Sequence, residues 1–107
     1  MNEAQLQRTV LELSTLYGWR SIHLAPAQVR GRWMTAMVGQ GVGWPDYFGI
    51  RDTRAVVAEL KGYNAKGHLG QLEAEQWEWL YTLQQVPGIE AYLWTPDDVD
   101  GIAEILR

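Results

Sequence analysis

The chain has 107 residues, 47% of them apolar, with a formal net charge of −4 and no cysteine. This length suits one compact core, so we expect residues 1–107 to form a single domain. The composition excludes a disordered chain and a disulfide-stapled fold, and the net acidity argues against a general nucleic-acid coat protein.

Neither a membrane segment nor a secretory signal is visible in the sequence. No stretch approaches the roughly 18 uninterrupted apolar residues of a membrane helix. The segment Met1–Gln5 is polar and acidic and lacks the basic start and apolar run of a secretory signal. We therefore expect a soluble, cytoplasmic protein without a membrane partner.

The basic residues are concentrated in the first two thirds of the chain. Residues 1–69 hold eight Lys and Arg against five Asp and Glu, whereas residues 70–107 hold only Arg107 against eight acids. This distribution can present one side to phosphates and the other to solvent. On its own, a chance fluctuation in a short chain is the simpler explanation.

Hydrophobic periodicity and turn residues predict seven elements in the order α-β-β-β-α-β-α. The helices show apolar residues at three- and four-residue spacing, and the strands are short apolar runs bounded by turn residues. Segment 25–45, rich in Gly and Arg, is expected to be irregular, and a short strand near Trp33–Val38 is left open. The predicted elements are helix 4–17, strands 19–24, 46–50 and 54–60, helix 69–85, strand 89–94 and a final helix that starts at Thr95-Pro96-Asp97-Asp98.

This order predicts an α/β fold with a mixed β-sheet flanked by helices. The strand–helix–strand unit from 54 to 94 should place its strands parallel with a right-handed crossover. A tight turn at Asp52-Thr53 should place strands 46–50 and 54–60 antiparallel, and Gly62–Gly67 is expected to be a loop.

The register of the antiparallel pair determines where its charged residues meet. A two-residue turn places Arg51 opposite Arg54 and, in the same register, Asp46 opposite Glu59. Side chains alternate between strand faces, so Glu59 and Lys61 share a face, and directly opposed residues share one as well. The sequence therefore predicts that Asp46, Glu59 and Lys61 converge, and a one-residue error in the turn would abolish this.

The opposed acids Asp46 and Glu59 are typical of a metal site. Two carboxylates about 4 Å apart repel by roughly 4 kcal/mol at an effective dielectric constant of 20, which favours a cation between them. Oxygen ligands without Cys favour Mg²⁺ or Mn²⁺, which can activate water on a phosphate, and Lys61 can orient that water or neutralise charge. The alternative is a cross-strand salt bridge with Lys61, which for so short a pattern is the more frequent explanation.

Two residues on helices are further candidates for this site. Gln76 lies in the apolar stripe of helix 69–85, where its amide either points at the site or is satisfied by backbone groups. Glu3 lies near the apolar face of the first helix, whereas Glu12 faces away. Glu3 can therefore add a metal ligand, although the helix dipole alone also favours a carboxylate at a helix start.

Taken together, these residues resemble the VRR-NUC family of the PD-(D/E)xK nuclease superfamily, in the stand-alone, Holliday-junction-resolvase-like form of phages and bacteria. The likeness spans nearly the whole chain and is specific in the order and spacing of its motifs. The chain differs from the family in the segment between Lys61 and Gln76, which is longer than usual. The segments that carry the likeness are Glu3–Gln7, Tyr17–Trp19, Gly43–Asp46, Ala58–Lys61, Gln76–Leu80 and Leu93–Pro96.

The resemblance implies a restriction-endonuclease-like core and a structure-selective DNA endonuclease that requires Mg²⁺ or Mn²⁺. It implies branched junctions or flaps as substrates, in recombination, repair or phage DNA processing in a bacterial or phage-infected cell, and assembly as a homodimer. The implied catalytic residues are Asp46, Glu59, Lys61, Gln76 and Glu3, and the implied metal ligands are Asp46, Glu59, Glu3 and the backbone carbonyl of Leu60.

The segment Pro26–Gly43 is the predicted DNA-contacting region. Arg30 and Arg32 are candidates for phosphate contact, and Trp33 either stacks on an unpaired base or, more commonly for such a residue, lies in the core. Further phosphate-contact candidates are Lys66, His23 and His68, although both histidines are also explained as an ordinary strand-end and an ordinary loop residue.

Two alternatives to an endonuclease are left open by the sequence. One is a non-catalytic DNA- or protein-binding module on a nuclease scaffold, although a degenerate relative usually loses one of Asp46, Glu59 and Lys61. The other is an unrelated α/β interaction protein in which these charges form salt bridges.

Overall fold

The computed structural model describes residues 1–24, 27–29, 32–34 and 39–107, with segments 27–29 and 32–34 described through their backbone alone. None of the described helices is both long and apolar enough to cross a membrane. The helices are α1 (Glu3–Leu16), α2 (Ala74–Gln84) and α3 (Val99–Leu106), and a 3₁₀ turn spans Pro96–Asp98; the strands are β1 (Arg20–His23), β2 (Ala27–Val29), β3 (Arg32–Met34), β4 (Tyr47–Arg51), β5 (Arg54–Leu60) and β6 (Ile89–Trp94).

A four-stranded mixed sheet, in the order β1-β4-β5-β6, confirms the predicted α/β class. β4 and β5 are antiparallel with Arg51 opposite Arg54, so the two-residue turn is confirmed. Asp52 in that turn has a φ of 53°, a conformation that Asp tolerates in tight hairpins. β5 and β6 are parallel, as expected of two strands joined through a helix.

The predicted order α-β-β-β-α-β-α is wrong in one respect, because it omits β2 and β3. These two strands pair with each other as a separate antiparallel sheet inside the segment expected to be irregular. Strands of three residues are too short to show an alternating pattern, so periodicity cannot reveal them. Of the possible strand Trp33–Val38, residues 35–38 lie outside the described part of the chain.

Helix α2 begins at Ala74, five residues later than predicted. Leu69 instead pairs with Tyr63 in an isolated bridge, and the Gly70 N–H donates to the Gly62 carbonyl at 3.1 Å. Glu73 has an extended backbone and caps the helix, which begins at the next residue. The apolar Leu69 matched the helical spacing by coincidence, because local backbone pairing holds it in the preceding loop.

Helices cover both faces of β5, the strand between β4 and β6. The face toward α1 and α3 forms the main core, and the opposite face carries Val57 and Glu59 beneath α2, whose inward side chains are Leu80 and Leu83. The main core comprises Leu6, Val10, Trp19, Tyr47, Val56, Ala58, Leu60, Trp94, Ile102 and Leu106. As a result, a charged residue on the α2 face of β5 is removed from solvent.

Gly43, in the segment before β4, packs directly against the backbone at the start of α2. It has a φ of +87°, and a Cβ at this position would lie 2.6 Å from the backbone carbonyl carbon of Glu75 and 2.8 Å from the Gln76 nitrogen. No side chain fits between these two backbones. Glycine therefore sets the separation between the chain before Asp46 and the helix that carries Gln76.

Replacement of Gly43 by alanine is expected to destabilise the protein more than a matched replacement of Gly18. Both glycines have a positive φ, which costs alanine roughly 1 kcal/mol, but a Cβ on Gly18 meets no atom within 4 Å. Urea unfolding of Gly43→Ala should show the larger loss by at least about 1 kcal/mol, because α2 must move. Equal losses in the two variants would contradict the close approach.

Candidate active site

Asp46 and Glu59 meet at the end of the β4–β5 pair. The ladder joins Tyr47 to Ala58, and one further step in the same register brings Asp46 beside Glu59. A two-residue hairpin closes with a hydrogen-bonded pair, and pair types then alternate, so residues 46 and 59 form a non-hydrogen-bonded pair with closely spaced side chains. Asp46 Oδ2 accepts a hydrogen bond from the Leu60 N–H at 3.0 Å, which fixes the carboxylate at this end.

Pro45 explains why the Leu60 backbone is available to the site. Continued two residues past its last pair, Tyr47 and Ala58, the register would place Pro45 opposite Leu60, in a position where two ordinary residues exchange both backbone hydrogen bonds. Proline has no N–H, so it donates nothing to the Leu60 carbonyl. The N–H and C=O of a strand residue point to the same side, which directs this carbonyl toward the side where Asp46 lies.

Glu59 is the buried centre of the cluster, with 2% of its surface exposed. Its Oε1 accepts a hydrogen bond from Gln76 Nε2 at 2.9 Å and lies 3.6 Å from Lys61 Nζ. Its Oε2 is buried and has no hydrogen-bond partner among the described residues. A buried carboxylate oxygen without a partner is costly, so this atom is a candidate ligand for an ion or a water molecule.

The charge balance around Glu59 is unfavourable for its ionised form. Burial, followed by the proximity of the Asp46 carboxylate, raises the pKa of Glu59 to about 8. Glu3 raises it further, and only Lys61 acts in the opposite direction. Lys61 does form an ion pair, but with Glu59 two residues earlier in the chain and not across the strands, and its one ammonium faces three acidic groups. Either a proton on Glu59 or a divalent cation would restore the balance.

The start of α1 brings Glu3 to the same cluster. A Cβ on Gly62 would overlap the backbone of Asn2 and Glu3, so the residue after Lys61 packs directly on this helix start. Glu3 is exposed, yet partial desolvation and the nearby Asp46 raise its pKa, and Lys61 partly offsets them. Glu12 instead lines a shallow groove on the outer side of α1.

Gln76 satisfies both alternatives that the sequence left open. Its Nε2 donates to Glu59, and its Oε1 accepts from the Glu73 backbone N–H at 2.8 Å in a capping interaction. The amide is thus held at both ends in the first turn of α2. It positions the Glu59 carboxylate and simultaneously satisfies a helix start.

The structure describes only some of the side chains that are predicted to contact DNA. The side chains of Arg30, Arg32 and Trp33 lie outside what the structure describes. His23 is half-buried at the end of β1, with its Nδ1 buried and unpartnered among the described residues; burial lowers its pKa, and nearby Asp46 raises it. Lys66 is exposed on the loop that follows Lys61.

The cluster offers oxygen atoms of the kind that Mg²⁺ and Mn²⁺ prefer as ligands. Within the described residues, no three His, Cys, Asp or Glu side chains stand ready to hold a metal ion. The carboxylates of Asp46 and Glu59, with Glu59 Oε2 unpartnered, are oxygen donors, which suits a hard divalent cation that retains water ligands.

Comparison of the chain with protein-family models, curated proteins and solved structures found no match.

Sequence reasoning missed the residues that set the backbone around these acids. Gly43 and Gly62 permit two helix starts to approach the strand ends, and Pro45 lies just beyond the end of the β4–β5 ladder. Gly43 and Pro45 lie in the segment Gly43–Asp46 that the sequence already singled out, but their roles depend on contacts with other elements. The only available signal for Gly62 was its position directly after Lys61.

The stability of the metal-free protein is expected to fall as the pH rises because of Glu59. Its folded pKa is raised from 4.5 to about 8, so its stabilising contribution is complete below about pH 4.5 and lost as the pH approaches 8. Glu59→Gln keeps an acceptor for Gln76 and should lose less stability over this interval, by on the order of a few kcal/mol. Unfolding in urea with a chelator measures this, and parallel pH profiles would contradict it.

Proposed function

We propose that this chain is a metal-dependent DNA endonuclease of the PD-(D/E)xK type, in the VRR-NUC family, that hydrolyses phosphodiester bonds and acts as a homodimer on branched or flapped DNA. The observation that carries the proposal is the buried Glu59 carboxylate with one unpartnered oxygen beside Asp46. A fold that needs only stability would not retain such a pair, because a neutral or apolar residue would remove the repulsion.

The proposed ligands for Mg²⁺ or Mn²⁺ are Asp46, Glu59, the Leu60 carbonyl and Glu3. When bound, the ion would supply charge neutralisation at the phosphate and a more acidic water molecule. The Lys61 ammonium, held 3.6 Å from Glu59, would donate a hydrogen bond to the attacking water or to a phosphate oxygen. Gln76 keeps the Glu59 carboxylate in one orientation while this occurs.

The charge of the cluster also supports a metal requirement for DNA cleavage. Among the charged groups that shift the pKa of Glu59, Asp46 and Glu3 are acidic and Lys61 is the only cation. A phosphodiester brought to this cluster without an added ion would be repelled. In a non-catalytic protein the buried repulsion between Asp46 and Glu59 would have no function. In a metal-dependent hydrolase the same pair would bind the ion.

Cleavage by the purified protein tests this proposal directly. Four-way junction, flap, linear duplex and single-stranded DNA should be incubated with Mg²⁺, Mn²⁺ or a chelator. Asp46→Asn, Glu59→Gln and Lys61→Met should each lower the cleavage rate by at least about 100-fold, because metal binding or charge stabilisation is lost. Cleavage that persists in the first two variants, with folding verified by circular dichroism, would refute the assignment.

Glu3 and Glu12 provide a matched pair for the contribution of α1. Both are exposed glutamates on the same helix, but only Glu3 interacts electrostatically with Asp46 and Lys61. Glu3→Gln should reduce Mn²⁺-dependent cleavage by roughly 10- to 100-fold, while Glu12→Gln should leave it unchanged. Equal rates in the two variants would exclude Glu3 from the site.

A further inference from the structure

Residues 62–70, here called the Lys66 loop, follow the end of β5. The loop turns back so that its last residue, Gly70, lies beside Lys61. The Tyr63–Leu69 bridge closes the base of the loop. The Tyr63 N–H donates to the Met1 carbonyl at 3.1 Å, and its hydroxyl donates to Asp97 at 2.7 Å. The loop is therefore fastened to the chain preceding α1 and to the 3₁₀ turn preceding α3.

Asn64 fixes the tip of the Lys66 loop in one conformation. Its Oδ1 accepts hydrogen bonds from the N–H groups of Lys66 and His68, both at 2.9 Å. Its own N–H donates to the His68 carbonyl, and Gly67 turns the chain with a φ of +78°. A loop ordered by its own hydrogen bonds loses little conformational entropy when it binds a ligand.

The tip carries the only Lys or Arg in a long stretch of the chain that is rich in acidic residues. Lys66 is the sole Lys or Arg between residues 62 and 106, and both Lys66 and His68 are exposed. The loop returns along the catalytic lysine, since a Cβ on Gly70 would lie 3.4 Å from Lys61 Cδ. The cation at the tip is thus rigidly connected to the candidate active site.

We propose that the Lys66 loop is a preformed contact for the DNA backbone, in which Lys66 and His68 bind phosphates beyond the one at Lys61. This inference rests on the proposed endonuclease function. Lys66 lies three residues past Tyr63, in a turn closed by the hydrogen bond from the Gly67 N–H to the Asn64 carbonyl. Because the tip is a separate turn, its side chains contact phosphates other than the one at the cut. This fixed second contact sets the position of cleavage.

The salt dependence of DNA binding tests the phosphate contact. Binding of a fluorescein-labelled four-way junction should be measured in Ca²⁺ by anisotropy, with the unsubstituted protein as the parent. Adding Lys66→Ala should weaken binding about five- to tenfold at 0.1 M salt and reduce the slope of log K against log salt by about one. Adding Arg8→Ala, which removes one exposed charge from the outer side of α1, should change neither.

Identical slopes for the Lys66→Ala and Arg8→Ala proteins would overturn this inference and leave the proposed function standing. Absence of DNA binding by the unsubstituted parent would overturn both, as would cleavage that survives Asp46→Asn.

The rigidity of the loop is tested separately in the active enzyme. Asn64→Ala preserves every charge but removes the acceptor for Lys66 and His68, so cut sites mapped on a labelled flap should spread over neighbouring nucleotides. Asn64→Asp retains an acceptor oxygen and should restore the parental cut site at saturating enzyme. A parental cut pattern in Asn64→Ala, with the loss of loop order verified by amide exchange, would contradict the positioning role.

Discussion

The constraint on which this structure depends is the burial of one carboxylate beside another. Glu59 lies 2% exposed on the central part of the sheet with Asp46 next to it, and its pKa is raised to about 8. Burial removes the water that would otherwise screen the two groups, so their repulsion persists until a proton or a cation intervenes. Lys61 provides part of this compensation and Gln76 provides a hydrogen bond, but one Glu59 oxygen remains unpartnered among the described residues.

The backbone around this pair permits the crowding. Two helices begin at the cluster, α1 with Glu3 and α2 with Gln76 in their first turns. Positive helix ends favour nearby anions, which reduces the repulsion without removing it. Gly43 and Gly62 allow close backbone approaches at these helix starts. The acidic cluster is thus surrounded by features that stabilise negative charge, and it is solvent-excluded at its centre.

The sequence predicted the register of β4 and β5 because a two-residue turn and side-chain alternation are local rules. Arg51 opposite Arg54 was therefore sufficient to bring Asp46 to Glu59. The sequence did not predict β2 and β3, whose three residues each are too few to show a period, or the late start of α2. That start depends on the pairing of Leu69 with Tyr63 and on the cap formed by Glu73 and Gln76, which are tertiary and local hydrogen bonds invisible to apolar spacing.

The candidate site residues likewise differ in whether local rules or tertiary packing determine their positions. Asp46, Glu59 and Lys61 follow from strand geometry, whereas the proximity of Glu3 follows from the packing of Gly62 on the start of α1. The two roles of Gln76, capping α2 and bonding to Glu59, could be recognised only once the start of α2 was known. Pro45 was visible as part of a motif, but its position beyond the end of the β4–β5 ladder emerged only from the observed register.

The most direct test of the central claim is calorimetric titration of Mn²⁺ into the protein at pH 7 in buffers of different ionisation enthalpy. Glu59 with a pKa of about 8 is mostly protonated at this pH, so binding should release close to one proton per ion. Glu59→Gln should bind the ion far more weakly and release none. Mn²⁺ binding that is unchanged in the variant, or an absence of binding in the parent, would show that the buried carboxylate pair is not a metal site.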